Sequence, residues 1–80
     1  MSAPGNLVWR CRRGMKELDL LFSGYLRNRW PQASGAERAA FEALLELPDP
    51  DLAAYLVGGE TAEDPALESC LAALRATRGV

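Results

Sequence analysis

The segment KELDLLFSGYLRNRWP, residues 16–31, decides the fold predicted for this 80-residue chain. Its apolar side chains recur at intervals of three or four residues, which is the spacing of one face of an α-helix. These apolar positions are Leu18, Leu21, Phe22, Tyr25, Leu26 and Trp30. Pro31 closes the segment, because the residue before a proline disfavours the helical backbone region. The segment therefore predicts a helix that buries one face in a core.

Downstream of this helix, capping signals predict three more. Ser34 and Glu37 fit the S-x-x-E capping box, and Pro48 ends the helix that they begin. Asp49 and Asp64 are each followed by proline, which is the pattern of an acidic N-cap before a proline at the first helical position. Glycines at 58 and 59 end the helix that begins after Asp49.

Upstream, residues 6–13 predict a short first helix, with Leu7, Val8 and Cys11 on its apolar side and Gly14 as its stop signal. The chain is thus predicted to be all-α, a compact five-helix bundle of short helices. We expect residues 1–80 to form a single domain, with flexible ends at about 1–5 and 78–80.

The aromatic and cysteine residues are assigned mainly to the core. Phe22, Tyr25, Phe41 and Tyr55 lie on the helical stripes, whereas Trp30 fits either the core or its rim. Trp9 is the best candidate for partial exposure, although a core position is favoured. Cys11 and Cys70 are interpreted as buried apolar residues in a reducing compartment.

Composition excludes most enzymatic and metal-binding roles. Histidine is absent and only two cysteines are present, so the chain lacks the ligands of a usual zinc site and the usual base for a serine or cysteine nucleophile. It has no glycine-rich nucleotide-binding motif and no apolar run of membrane-spanning length. We therefore expect a cytoplasmic protein that is not an enzyme, has no metal and is not inserted in a membrane.

Charge is divided unevenly along the chain. Residues 1–30 hold six basic and two acidic side chains, whereas residues 31–80 hold three basic and nine acidic ones. The basic residues gather in WRCRRGMKELD, residues 9–19, around a single glycine.

Helix-end electrostatics explain this cluster without any function. If Gly14 ends the first helix, Arg10, Arg12 and Arg13 lie in its last turn, while Glu17 and Asp19 open the second helix. Each charge then lies at the helix end where the dipole favours it.

A functional interpretation starts from the same corner. A glycine there lets a partner's backbone approach closely, and arginine, tryptophan and methionine are favoured at interface centres. Trp9, Arg13, Gly14, Met15 and Glu17 would form such a patch.

The corner resembles the SdhE family of bacterial succinate dehydrogenase assembly factors. Its RGxxE motif is present as Arg13, Gly14 and Glu17, within the longer pattern W-x-C-R-R-G-M-x-E-L-D. The resemblance continues through F-x-x-L-L at residues 41–45 and DPDL at residues 49–52. It covers roughly residues 7–76.

The resemblance implies a non-enzymatic assembly factor that binds the FAD-containing flavoprotein subunit of succinate dehydrogenase, or of fumarate reductase. The factor would promote covalent attachment of FAD to a histidine of that subunit. FAD would belong to the partner, so the factor would have no cofactor of its own, and it is expected to be a monomer when free. The residues expected to meet the partner are Arg13, Gly14 and Glu17, with Arg12, Met15, Lys16, Trp9 and Asp19.

The alternative is a small regulatory or antitoxin-like helical module. A DNA-binding member of that class would need a basic recognition helix. Here the basic residues gather at a corner and the later helices are acidic, so we expect no binding to nucleic acid.

Overall fold

Five α-helices and one 3₁₀ turn make up the computed structural model, which describes residues 4–77. The helices are α1 (Gly5–Arg10), α2 (Lys16–Asn28), α3 (Gly35–Leu45), α4 (Asp49–Leu56) and α5 (Pro65–Ala76), with the 3₁₀ turn at Trp30–Gln32. No strand occurs in this range. The predicted all-α fold of five short helices is confirmed. The predicted flexible ends fall mostly outside the described residues, although Gly5 already begins α1.

The core is built where the predicted apolar stripes converge. Phe22, Tyr25 and Phe41 are fully buried, and α5 adds Cys70, Leu71 and Leu74 against them. The Phe41 ring stacks on Tyr25 at 4.5 Å between centroids and meets the edge of Phe22 at 5.8 Å. Aromatic pairs favour both arrangements. The rings therefore join α2 to α3 in the centre of the bundle.

The side-chain exposure in the structure tests three aromatic assignments and both cysteine assignments. Trp30 is in the core, and both Cys11 and Cys70 are buried free thiols, as predicted. The favoured core position for Trp9 is wrong, because this side chain is 72% exposed. Tyr55 is only half-buried at the edge of the core.

Helix α1 is shorter than predicted. It ends at Arg10, so Arg12 and Arg13 lie beyond its last turn rather than within it. In a longer helix the Arg13 N–H would donate to Trp9, but here it donates to the Asp19 carboxylate at 2.9 Å. A stronger, charged acceptor outside the helix thus ends it early.

The capping predictions have mixed outcomes. Asp64 accepts a hydrogen bond from the Ala66 N–H at 2.9 Å, as an N-cap should. Past the end of α4, Gly59 has a φ of +78° and the Glu60 N–H reaches back to the Ala54 carbonyl, which is a typical helix stop. The prediction for Asp49 is wrong, since α4 begins at Asp49 itself, with Pro48 at the N-cap and no side-chain cap.

Candidate functional site: the corner between the first two helices

The corner consists of residues 11–15, which turn the chain from α1 into α2. The Cys11 N–H donates to the carbonyls of Leu7 and Val8, both at 3.2 Å, and closes α1. Gly14 has a φ of +81°, a left-handed conformation that other residues adopt only with strain. A Cβ added at Gly14 would meet no atom within 4 Å. Backbone conformation, not crowding, therefore accounts for the glycine, and the space in front of it is open.

Asp19 ties the corner to α2. Its own N–H donates to the Met15 carbonyl at 2.9 Å, which is the first bond of the helix. Its carboxylate in turn accepts the Arg13 N–H at 2.9 Å. Both bonds span the turn, so the corner cannot shift without breaking them. Asp19, predicted to meet a partner, has this internal contact and is half-buried.

Arg13 ties the corner to the junction between α3 and α4. Its guanidinium donates to the carbonyl of Leu45, the last residue of α3, and lies 3.4 Å from the carboxylate of Asp49 in the first turn of α4. The last carbonyls of a helix lack intrahelical partners and carry the negative end of the helix dipole. Arg13 therefore caps α3 from outside, and its side chain is only 18% exposed.

The remaining predicted residues face outward. Trp9 and Met15 are 72% and 37% exposed. Arg12, Lys16 and Glu17 are exposed as well. Within residues 4–77, neither Arg12 nor Lys16 forms an ion pair or a side-chain hydrogen bond. Of the eight predicted residues, the structure thus leaves five side chains exposed around Gly14 and turns the side chains of Arg13 and Asp19 inward.

The charge explanation based on helix dipoles holds only in part. Arg10 is in the last turn of α1, and Glu17 and Asp19 are in the first turn of α2, as predicted. Arg10 also pairs with Glu42 and Glu46, at 3.4 and 3.2 Å. Arg13, however, acts on the carboxyl end of α3, a helix that follows it in sequence. No internal contact in the described range accounts for the outward charges of Arg12 and Lys16.

Two shallow hollows flank the corner along α2. One, of about 250 Å³, is lined by Glu17, Leu20, Gly24, Arg27 and neighbouring residues, up to Thr77. The other, also about 250 Å³, lies between α1 and α2 and includes Val8, Arg12 and Asp19. Leu20 is 62% exposed at the edge of the first hollow. The surface beside Gly14 therefore continues into partly apolar depressions on both sides.

Cys11 is the first residue of the corner, and its side chain is buried in the core. Burial raises the pKa of its thiol to about 11, although the nearby Arg13 and Arg10 act in the opposite direction. A thiol with this pKa is protonated at neutral pH and is a poor nucleophile. Cys11 therefore contributes packing rather than chemistry.

Two residues that belong to this site were not predicted as such from the sequence. Asp49 holds the Arg13 guanidinium, whereas the sequence signalled only a helix start there. Leu20 falls on the side of α2 opposite its apolar stripe, and this off-stripe leucine was the available signal for an exposed apolar side chain.

The groups present at this corner are polar, charged and aromatic side chains around a fixed turn. Residues 4–77 contain no group of His, Cys, Asp or Glu side chains arranged to hold a metal ion. No helix within that range is long and apolar enough to cross a membrane. What the corner offers is a fixed turn with open space at Gly14, a large exposed aromatic ring, and charges of both signs.

Comparison with known proteins finds one matching family and several similar proteins that share one name. The model of a family described as "Flavinator of succinate dehydrogenase" matches residues 5–78. A protein from Methylococcus capsulatus named "FAD assembly factor SdhE" is 48% identical over 79 residues, which cover 99% of this chain and 95% of that protein. Proteins of the same name from Xylella fastidiosa and Shewanella oneidensis are 46% and 40% identical. They match over 88% and 84% of this chain, and over 72% and 82% of their own lengths.

Proposed function

This chain belongs to the family of succinate dehydrogenase flavinators, and from that premise we propose that it binds the flavoprotein subunit of succinate dehydrogenase and promotes covalent attachment of FAD to a histidine of that subunit. The flavoprotein subunit of fumarate reductase is a second partner of the same kind. FAD stays with the flavoprotein throughout, and this chain acts as a chaperone-like binding protein, not as an enzyme.

The observation that supports this proposal is the exposed corner around Gly14. The outward charges of Arg12 and Lys16 and the exposed ring of Trp9 have no structural explanation within the described range, and surfaces rich in tryptophan, arginine and methionine favour protein contacts. We call Trp9, Arg12, Gly14, Met15, Lys16 and Glu17 the docking surface. Gly14 lets the flavoprotein backbone approach, Glu17 accepts hydrogen bonds from it, and Arg12 and Lys16 steer the encounter.

The mechanism is a shift of population in the flavoprotein. The factor binds one conformation of the FAD-loaded subunit more tightly than the others, so that conformation becomes more populated. In it, the histidine and the flavin are aligned, and the bond forms without a chemical group from this chain. A surface without nucleophile, metal or nucleotide motif is sufficient for that role.

Co-expression with the flavoprotein tests the function and the surface separately. We expect the intact mass of the flavoprotein to increase by one covalent flavin when this chain is present. Glu17→Ala should reduce the flavinylated fraction severalfold, whereas Glu63→Ala, at an exposed glutamate in the loop before α5, should not. If the wild-type chain adds no flavin, the function is wrong. If Glu17→Ala equals the wild type, the docking surface is wrong.

A glycine pair controls for backbone strain. Gly14 and Gly59 have similar positive φ angles, and an added Cβ has open space at both. Gly14→Arg and Gly59→Arg should therefore lose similar stability in urea unfolding. Only Gly14→Arg should abolish flavinylation, because only its side chain blocks the docking surface.

A further inference from the structure

We infer that Arg13 is a positioning residue, which together with Asp49 holds the docking surface in place from inside the protein. This inference rests on the proposed function and assigns the arginine of the RGxxE motif a role different from that of its exposed neighbours. It also brings into the docking function a residue, Asp49, that lies 36 positions away in the sequence.

The side chain of Arg13 is committed to acceptors within the chain. It donates to the Leu45 carbonyl and pairs with the Asp49 carboxylate, while its Nε is buried and has no hydrogen-bond partner in the described range. If the guanidinium turned outward to a flavoprotein, the Leu45 carbonyl would lose its donor and Asp49 its cation. Direct contact through this side chain would therefore cost internal bonds, whereas the side chains of Arg12 and Lys16 have none to break within the described range.

The backbone of Arg13 connects those bonds to the docking surface. Arg13 directly precedes Gly14, and its N–H is held by Asp19 at 2.9 Å. The corner is thus fixed on one side to α2 and on the other to the junction between α3 and α4. Residues 11–15 belong to no helix, and within the described range the hydrogen bonds from their side chains to that junction all come from Arg13.

Fixing the corner before binding has a direct consequence for affinity. A surface loop that must be ordered on association lowers affinity by the free energy of that ordering, whereas a preorganised loop avoids the loss. Removing either Arg13 or Asp49 should therefore weaken binding even though neither side chain faces the partner. Removing both should weaken it no more than removing Arg13 alone.

A double-mutant cycle with the flavoprotein tests this inference. Dissociation constants are measured by calorimetry for the wild type, Arg13→Ala, Asp49→Ala and the double variant, at a temperature where circular dichroism shows each to be folded. We expect each single variant to bind about three- to tenfold more weakly, and the double variant to resemble Arg13→Ala. Asp51→Ala, an exposed acid in the same turn of α4, is the matched control and should bind like the wild type.

Amide hydrogen exchange provides a readout that needs no partner. The amides of residue 13 and Asp19, which donate across the turn in the wild type, should exchange faster in Arg13→Ala and Asp49→Ala, and at the wild-type rate in Lys16→Ala. Arg13→Lys, which keeps the charge but not the fork of donors, should be intermediate and serves if Arg13→Ala fails to fold.

The outcomes separate this inference from the proposed function. If Asp49→Ala binds like the wild type while Arg13→Ala binds poorly, Arg13 contacts the partner and the inference is overturned. Unchanged exchange at the amides of residue 13 and Asp19 in both variants would overturn it as well. If the wild-type chain does not bind the flavoprotein, the proposed function fails, and the exchange rates still decide whether Arg13 and Asp49 fix the corner.

Discussion

Glu37 illustrates how a neighbouring side chain changes the role that a local motif predicts. Its N–H donates to Ser34 Oγ at 3.1 Å, which is one half of the predicted capping box. Its carboxylate does not reach back to complete the box. Instead it accepts two hydrogen bonds from Arg29, at 2.9 and 3.0 Å, and one from the Tyr25 hydroxyl at 2.7 Å. A guanidinium fork and a phenol stabilise a carboxylate better than one backbone N–H does.

This arrangement predicts a dependence of stability on pH. Hydrogen bonds from Arg29 hold the pKa of Glu37 below its ordinary value of 4.5, although partial burial opposes them. Since the folded state favours the charged form, its contribution is complete above pH 4.5 and is lost as the pH falls through the lower folded-state pKa. Glu37→Gln should lower the free energy of unfolding at pH 7 by up to about 1 kcal/mol and flatten its decline in acid.

Urea unfolding followed between pH 7 and pH 3 measures this effect. Glu63→Gln, at an exposed glutamate, should leave the curve unchanged. A Glu37→Gln curve with the same acid limb as the wild type would show that the contacts with Arg29 and Tyr25 contribute nothing to the pH dependence.

At the scale of elements, the periodicity of apolar residues was enough to predict the helices. The positions of the helix ends were harder to predict, because they depend on contacts between residues distant in sequence. The stripe from Leu18 to Trp30 specified the buried face of α2 because burial of one face imposes that spacing. The end of α1 and the start of α4 were misplaced because the Arg13 N–H bonds to Asp19 and the Asp49 carboxylate to Arg13. Such bonds have no local signature. The residues of the corner were therefore recognisable from the sequence, whereas the inward contacts of Arg13 and Asp19 were not.

Gly24 gives a prediction for α2. It lies within the helix and has no positive φ, and a Cβ added there would contact Thr77 at an ordinary 3.6 Å. Glycine costs a helix interior about 0.5–1 kcal/mol relative to alanine. Gly24→Ala should therefore raise the free energy of unfolding by about that amount, measured as a higher urea midpoint.

Gly58→Ala is the contrasting variant. Its Cβ would lie 2.8 Å from the Ala54 carbonyl oxygen, so this substitution should destabilise the protein. A lower midpoint for Gly24→Ala would contradict the prediction.

At the scale of the whole molecule, arginine side chains join the ends of one helix to another element. Arg13 donates to the carbonyl end of α3, and Arg75 on α5 donates to the Tyr55 carbonyl in α4 at 3.1 Å. Arg38 on α3 donates to the Trp30 carbonyl at 2.9 Å, and its guanidinium lies 4.8 Å from the centre of the Trp30 ring. A domain of this size buries only a modest apolar core. Hydrogen bonds of this kind therefore help to fix the positions of its helices relative to one another.

The ring cluster around Phe41 is the part of the core in which a substitution should reduce stability most. Phe41 is fully buried and contacts Phe22, Tyr25 and Trp30. Phe41→Ala should cost about 3–5 kcal/mol, a large share of the roughly 4–12 kcal/mol expected for a domain of 80 residues. We expect its thermal unfolding, followed by circular dichroism, to begin near room temperature. Val57→Ala, at a side chain that is 53% exposed, should change stability by less than about 0.5 kcal/mol. An unaltered transition for Phe41→Ala would contradict the ring cluster as the centre of the core.

The two tryptophans lie in different environments, so their intrinsic fluorescence can report on two parts of the molecule. Trp30 is 4% exposed in the core, and Trp9 is 72% exposed at the edge of the docking surface. Emission from Trp9 should therefore be red-shifted and quenched by acrylamide, while emission from Trp30 should be blue-shifted and shielded until the bundle unfolds. One unlabelled sample thus reports two processes at different wavelengths: the covering of the corner and the melting of the core.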